Sequence, residues 1–220
     1  MSDDPRLDPA AFVRAETIVA TPSLVPEIRL HLATEITPLW QATEDVIARA
    51  NLPPPYWAFA WPGGQALARY VIEHPMIVAG KDVLDFAAGS GLVAIAAAIA
   101  GARHVTANDI DAFAAAAIAL NAGLNSVVLA LDTGDLTARS DGGWEVILAG
   151  DVCYERPMAE RAIGWLRARA ATGVTVLIAD PGRSYLPKDG LAALARYCVP
   201  TSRELEDRTL WETTVYRLSA

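Results

Sequence analysis

Cysteine, histidine and lysine are the scarce residues of this 220-residue chain, and each scarcity removes a class of function. The two cysteines, Cys153 and Cys198, lie far apart without a partner spacing, so no disulfide framework is expected and a reducing compartment, the cytoplasm, is. The three histidines, His31, His74 and His104, fall on unrelated segments and offer no ligand cluster, so no metal is expected. Lysine occurs only at Lys81 and Lys188, and 18 basic residues face 26 acidic ones for a net charge of -8. That balance repels a phosphate backbone, which argues against nucleic acid, and it favours a basic partner or one presenting lysines. Long apolar runs are also missing. The stretch Val93–Ala100 falls well short of the roughly 20 residues that cross a bilayer, and MSDDPRLDPAAF reads as neither a secretory signal nor an Arg-rich transit peptide.

What is abundant is apolar surface, 53% of the residues, enough for one large domain with a substantial core. Residues 1–50 read as an N-terminal extension or cap, with short helical patterns broken at Pro22, Pro26 and Pro38, and residues 51–220 as the main domain. NLPPPYWAFAWPGG, residues 51–64, is a Pro-rich aromatic loop, and Pro62 can open a helix through Gln65–Ile72. From Asp82 a rhythm of strand, glycine turn and helix sets in. DVLDF, HVTAN, SVVLAL, WEVILAG and VTVLIAD are the strands, with helices in VAIAAAIAGA, AFAAAAIALNAG and Met158–Ala170. Continuously apolar strands are buried on both faces, which requires a mostly parallel sheet between helices: a doubly wound, Rossmann-like α/β fold. VPTSRELED and ETTVYRLSA then read as a C-terminal antiparallel hairpin, giving seven strands. That ending is a class I methyltransferase trait that dinucleotide dehydrogenases mostly lack.

VLDFAAGSG, residues 83–91, joins the first strand of this rhythm to its helix. Gly89 and Gly91 let backbone amides approach a ligand at an electropositive helix end, and with Ala94 they also satisfy a dinucleotide fingerprint. Asp85 separates the two readings. A carboxylate there would face a pyrophosphate's negative charge, and it suits a cationic ligand such as S-adenosylmethionine, although it can also cap the loop through backbone hydrogen bonds. Asp109, ending the second strand in VTANDID, can accept two ribose hydroxyls, with Asp111 the N-cap of the next helix. Asp135 and Leu136 stand where an adenine amino group and ring face would meet a carboxylate and an apolar wall.

DFAAGSG, NDID, GDL and DVCY, in this order and spacing, resemble the motifs of seven-strand protein lysine methyltransferases, the family that includes the electron transfer flavoprotein β-subunit lysine methyltransferase. PPPYWAFAWPGGQALARY resembles the opening segment of that enzyme, whose bacterial versions are sometimes labelled ribosomal-protein methyltransferases; the match runs over roughly residues 50–220. The resemblance implies an S-adenosylmethionine-dependent protein-lysine N-methyltransferase and, as its protein substrate, the β subunit of electron transfer flavoprotein. It implies that Asp151 and Tyr154 are the D-x-x-Y signature beside the methyl donor, that Trp61 lines the donor's methionine end, and that Ile110, next to Asp109, is a further cofactor-binding residue. Ala87 departs from the pattern by standing where the first loop glycine is usual, and an alanine fits there if its φ is negative.

The chemistry agrees with those residue types. A lysine amine, pKa about 10.4, must lose its proton before it attacks a methyl group, so the site must desolvate and orient it. Tyr154, Trp57, Tyr56 and Phe59 can form the aromatic walls and rim, Asp151 can orient the amine, and Tyr185 in DPGRSYLP can wall a substrate peptide. A ribosomal-protein lysine methyltransferase and a small-molecule N-methyltransferase with residues 1–50 as its lid are the competing activities. A non-catalytic module would be expected to lose Asp85 or Asp109, and a base methyltransferase to carry its own D/N-P-P-Y motif after the fourth strand.

Overall fold

The computed structural model describes residues 8–33, 54–140, 142–201 and 208–220. The expectations for residues 34–50, the break at Pro38 included, and for most of VPTSRELED lie outside that set. Helix α1 (Pro9–Glu16) and strands β1 (Ile18–Ala20) and β2 (Leu30–Leu32) lead into a short 3-10 turn at Tyr56–Ala58 and helix α2 (Pro62–Glu73). Then follow β3 (Asp82–Phe86), α3 (Leu92–Ile99), β4 (His104–Asn108), α4 (Ala112–Leu124), β5 (Ala130–Asp132), β6 (Val146–Gly150), α5 (Arg156–Ala171), β7 (Thr175–Asp180), β8 (Leu191–Pro200) and β9 (Leu210–Leu218). The seven-stranded sheet has the order β5-β4-β3-β6-β7-β9-β8, with β9 alone running opposite to the other six strands.

Alternation along the central strands explains why they are apolar throughout. Val83 of β3, Val146 and Leu148 of β6 and Leu177 of β7 pack with Leu67 of α2, Ile95 of α3 and Ile118 of α4 on one face. Leu84, Phe86, Ile147, Val176 and Ile178 pack with Trp165 and Leu166 of α5 on the other. Each large aliphatic side chain so buried contributes about 1.5–3 kcal/mol. A third cluster joins Phe12 and Val13 of α1 to Trp57, Ala114 and Ala117, so the N-terminal residues lie against α4 and the aromatic loop.

Two strand boundaries correct the sequence reading. Of SVVLAL only Ala130 and Leu131 are strand, in β5 with Asp132: Ser126 has φ +56° and Val128 is exposed, because β5 is an edge with β4 as its single neighbour. The hairpin's first strand begins at Leu191, earlier than Val199, and pairs with β9 through Pro200. It is reached from β7 by residues 181–190, which return across the α5 face as a loop, with Leu186 packed among that face's apolar residues. Strands β1 and β2, an antiparallel pair, form where only short helical patterns were expected, whereas the other strands and the helices from α2 onward form where the apolar pattern places them, and Pro62 is the first residue of α2. Among the described residues no helix is long and apolar enough to cross a membrane.

Candidate active site

The loops leaving β3, β4, β5, β6 and β7 meet over the carboxyl ends of the strands, where open α/β sheets bind ligands. They enclose a cavity of about 570 Å³, a size that takes a small-molecule cofactor. Eleven of the fifteen residues expected at the site line it: Tyr56, Trp57, Trp61, Ala87, Gly89, Asp109, Ile110, Asp135, Leu136, Asp151 and Tyr154. The remaining four, Asp85, Gly91, Phe59 and Tyr185, lie outside the lining.

Each of those four has a physical reason. Asp85 alternates onto the helix-covered face with Val83, is 2% exposed, and its Oδ2 accepts the Ala94 amide of α3 at 2.8 Å. Burial, with that amide partly offsetting it, pushes its carboxyl up to about 8. It ties the glycine loop to the helix. Gly91, φ +79°, caps α3 and leaves room for α4, since a Cβ there would come within 3.2 Å of Ile118. Phe59 stacks edge-on against Trp61 at 5.7 Å, behind the cavity wall. Tyr185 lies under the Arg156 guanidinium, 5.4 Å from ring centroid to Cζ. The condition placed on Ala87 is also corrected: its φ is +55°, the left-handed region where a Cβ is strained by about 1–2 kcal/mol.

At one end of the cavity the polar groups are fixed by nearby backbone. Asp109 Oδ2 accepts the Gly89 amide at 2.9 Å and Oδ1 the Asp111 amide at 3.0 Å, while burial pushes its carboxyl above the usual range. Asp111 caps α4 through the Phe113 amide, as its position suggests. Asn108, which the sequence reading missed, donates to the Asp132 and Gly134 carbonyls and so locks the β5 loop onto β4. Asp135 Oδ1 accepts from the Thr137 hydroxyl and amide, and the hydroxyl's bond chiefly holds that carboxyl below its ordinary value. Leu136 is buried beneath the cavity and Ile110 stands exposed at its mouth.

These groups fit a nucleoside cofactor: lone pairs on Asp109 for two hydroxyls, apolar sides at Ile110 and Leu136 for a base, and a glycine loop at Gly89 that lets the backbone come close. Among the described residues no group of three or more His, Cys, Asp or Glu side chains could hold a metal ion.

The other end is built from distant segments. Gly150 and the first turn of α2 touch: a Cβ on Gly150 would lie 2.8 Å from the Gly64 amide, and one on Gly63 would lie 2.5 Å from both Ala179 O and Asp151 Oδ2. The two glycines of WPGG therefore let a helix N-terminus sit directly on the sheet's edge. There the Gly64 amide donates to Asp151 Oδ2 at 2.8 Å, so Asp151 is held by α2, the helix that begins at Pro62. Asp151 has φ +55° and a side chain 11% exposed. Burial is the largest influence on its carboxyl and raises it to about 7, against the downward pull of Arg183.

Arg183, a second residue the sequence reading missed, puts Nη2 3.4 Å from Asp151 Oδ1 and its Cζ 6.0 Å from the Trp61 ring centroid. Tyr154 packs against Tyr56 at 5.2 Å and Tyr56 against Trp61 at 5.9 Å, while the Trp61 indole N–H donates to the Tyr56 carbonyl. Tyr56 and Tyr154 keep more than a third of their surface open, whereas Trp57 is 3% exposed and stacked on Phe113, so it forms floor more than rim. Burial is the first cause that carries the Tyr154 phenol up to about 12, so it stays a neutral donor with an apolar face.

A family model for ribosomal protein L11 methyltransferase (PrmA) matches residues 66–150, from α2 to the end of β6. The chain is 38% identical over 214 residues to the electron transfer flavoprotein beta subunit lysine methyltransferase of Xenopus laevis, covering 94% of this chain and 86% of that one. It is 40% identical over 206 residues to the Danio rerio protein of the same name, covering 91% and 79%. Among solved structures, a putative RNA methyltransferase of Pyrococcus horikoshii superposes with a TM-score of 0.55 at 18% identity, over 81% of this chain and 96% of that one, a likeness of fold. The fold is that of class I methyltransferases, including the C-terminal antiparallel strands.

Proposed function

The chain belongs to the family of electron transfer flavoprotein beta subunit lysine methyltransferases, and from that membership we propose that its acceptor is a lysine of the β subunit of electron transfer flavoprotein, received at Asp151 and Tyr154. As a member it is an S-adenosylmethionine-dependent protein-lysine N-methyltransferase. The observation that carries the placement is the convergence in one cavity of a nucleoside-type end and an aromatic, carboxylate-bearing end.

S-adenosylmethionine, when bound, supplies a methyl group activated by positively charged sulfur. Asp109 would hold the ribose hydroxyls through the lone pairs that Gly89 and Asp111 leave open, and Asp135, Leu136 and Ile110 would flank the base. Tyr154, Tyr56 and Trp61 exclude water from the acceptor amine and so lower its pKa. Asp151 Oδ1 accepts a hydrogen bond from that amine, aligning its lone pair for in-line attack, and takes up the proton the amine sheds. Trp61 and Tyr154 present π faces to the cationic methylated product.

Charge supports a lysine-bearing partner: the chain is acidic overall, and Glu155 adds a carboxylate at the mouth. The unpaired state of Cys153 and Cys198 suits the reducing cytoplasm. The match to the ribosomal protein L11 methyltransferase model favours a ribosomal protein as the second reading. Purified β subunit and L11 would each be incubated with enzyme and S-adenosylmethionine, and their masses followed in steps of one methyl group. Gain on the β subunit is expected; gain on L11 alone would replace the acceptor and leave the site standing.

A further inference from the structure

The Arg183 guanidinium already touches both groups that an acceptor ammonium needs, the Asp151 carboxylate and the Trp61 face. Its bond to Asp151 Oδ1 is long, at the outer edge of hydrogen-bond range, while Asp151 Oδ2 is committed to the Gly64 amide. The backbone of Arg183 is fixed, since Asp180 Oδ1 accepts the Gly182 and Arg183 amides at 2.7 and 2.6 Å. Its side chain extends from the loop after β7 and lines the cavity. The second oxygen of Asp180, buried at 2% exposure, has no hydrogen-bond partner among the described residues.

Resting on the acceptor reading above, we propose that Arg183 is a placeholder cation: it occupies the acceptor-ammonium position between Asp151 and Trp61 and is displaced when the lysine docks. Until then it favours the charged form of Asp151, and the unfilled oxygen of Asp180 offers the displaced guanidinium a second carboxylate. The groups facing Asp151 are Arg183 and Asp180 from the end of β7 and its loop, the Gly64 amide from α2, and Cys153 from its own loop. Arg183 is the one cation among them, so its removal leaves burial and Asp180 both acting against ionisation. Arg183 is thus a positioning residue, and an always-protonated one suits the task better than a lysine that could itself be methylated.

Steady-state methylation of the acceptor that the wild-type enzyme modifies would be followed from about pH 6 to about pH 9 for wild type, Arg183→Gln, Arg183→Lys and Asp151→Asn. Near pH 9 Asp151 is charged with or without Arg183, so Arg183→Gln should lower the acceptor KM by about threefold or more. Its acid limb in kcat/KM should move up by about one pH unit, and Arg183→Lys should restore the limb. Affinity for S-adenosylhomocysteine should not change. An acceptor KM that is unchanged or raised near pH 9, or a limb that stays in place, overturns the placeholder. If Arg183→Gln does not fold, Arg183→Met, which keeps an aliphatic stem without the charge, must show the lower KM and the raised limb, and unchanged values overturn the placeholder equally. Loss of turnover in Asp151→Asn beside unaltered Arg183 variants refutes this inference alone; full turnover in Asp151→Asn refutes the acceptor reading as well.

Discussion

Asp109, at the nucleoside end of the cavity, is held by amides 20 and two residues away in sequence, whereas Asp151, at the acceptor end, is held by an amide 87 residues away and by an arginine 32 residues away. One carboxylate is fixed by its own turn and the loop of the adjacent strand, the other by the docking of a helix terminus onto the sheet. The first arrangement is rigid by local backbone geometry. The second depends on tertiary packing, and it leaves Asp151 Oδ1 joined only loosely to a side chain that can be replaced. The proposed roles, a binding end that holds one cofactor in one pose and an acceptor end that exchanges cations, would call for those two constructions.

Alanine at one glycine on each side gives the largest test of this difference. Gly63→Ala drives a Cβ against Ala179 O and Asp151 Oδ2, both 2.5 Å away, and should cost about 1–3 kcal/mol or more with turnover abolished. Gly89→Ala meets nothing nearer than the Trp57 Cα at 3.8 Å and carries only its left-handed strain at φ +52°, about 1–2 kcal/mol. Chemical denaturation beside a methylation assay checks both. Equal losses would mean that the acceptor end tolerates movement of α2 away from the sheet.

A smaller effect separates scaffold acid from site acid. Burial raises the folded-state carboxyl of Asp85 to about 8, above its ordinary value, so its contribution to stability is fully present below about pH 4 and is lost as pH rises through about 8. Asp85→Asn can still accept the Ala94 amide, so its melting temperature should gain on wild type as pH climbs from about 6 to about 9. A constant difference across that range would mean that Asp85 does not titrate there. The smallest effect is expected from Ala87→Gly, which removes left-handed strain at the price of chain entropy and should stabilise by about 0.5–1 kcal/mol. Its affinity for S-adenosylhomocysteine should be unaltered; a weakened affinity would make the Ala87 methyl part of the binding wall.

The same contrast governs what could be seen in the sequence. The apolar runs of β3, β4, β6 and β7 and the glycine and proline ends of the helices are local signals, and Asp109 and Asp135 follow from their place after a strand. The hairpin's first strand was legible only in part: Leu191–Tyr197 is rich in alanine and leucine, which favour strand weakly, and as an edge it lacks a two-sided apolar run. D-x-x-Y marked Asp151 and Tyr154, but not what holds them. Gly64 and Arg183 reach Asp151 only after α2 docks and the β7 loop turns back, so their contacts have no spacing to read. Asp85 looked like a ligand group because its position was visible and its direction was not; strand alternation points it at α3.

Calorimetric titration of S-adenosylhomocysteine into wild type, Asp109→Ala and Asp151→Asn tests the division of the cavity most directly. Asp109→Ala should lose the charged acceptor of the ribose hydroxyls, worth about 1.5–3 kcal/mol or roughly 10- to 150-fold in affinity, while Asp151→Asn binds as wild type does. Wild-type affinity in Asp109→Ala, or a comparable loss in Asp151→Asn, would contradict the assignment of one carboxylate to the nucleoside and the other to the acceptor lysine.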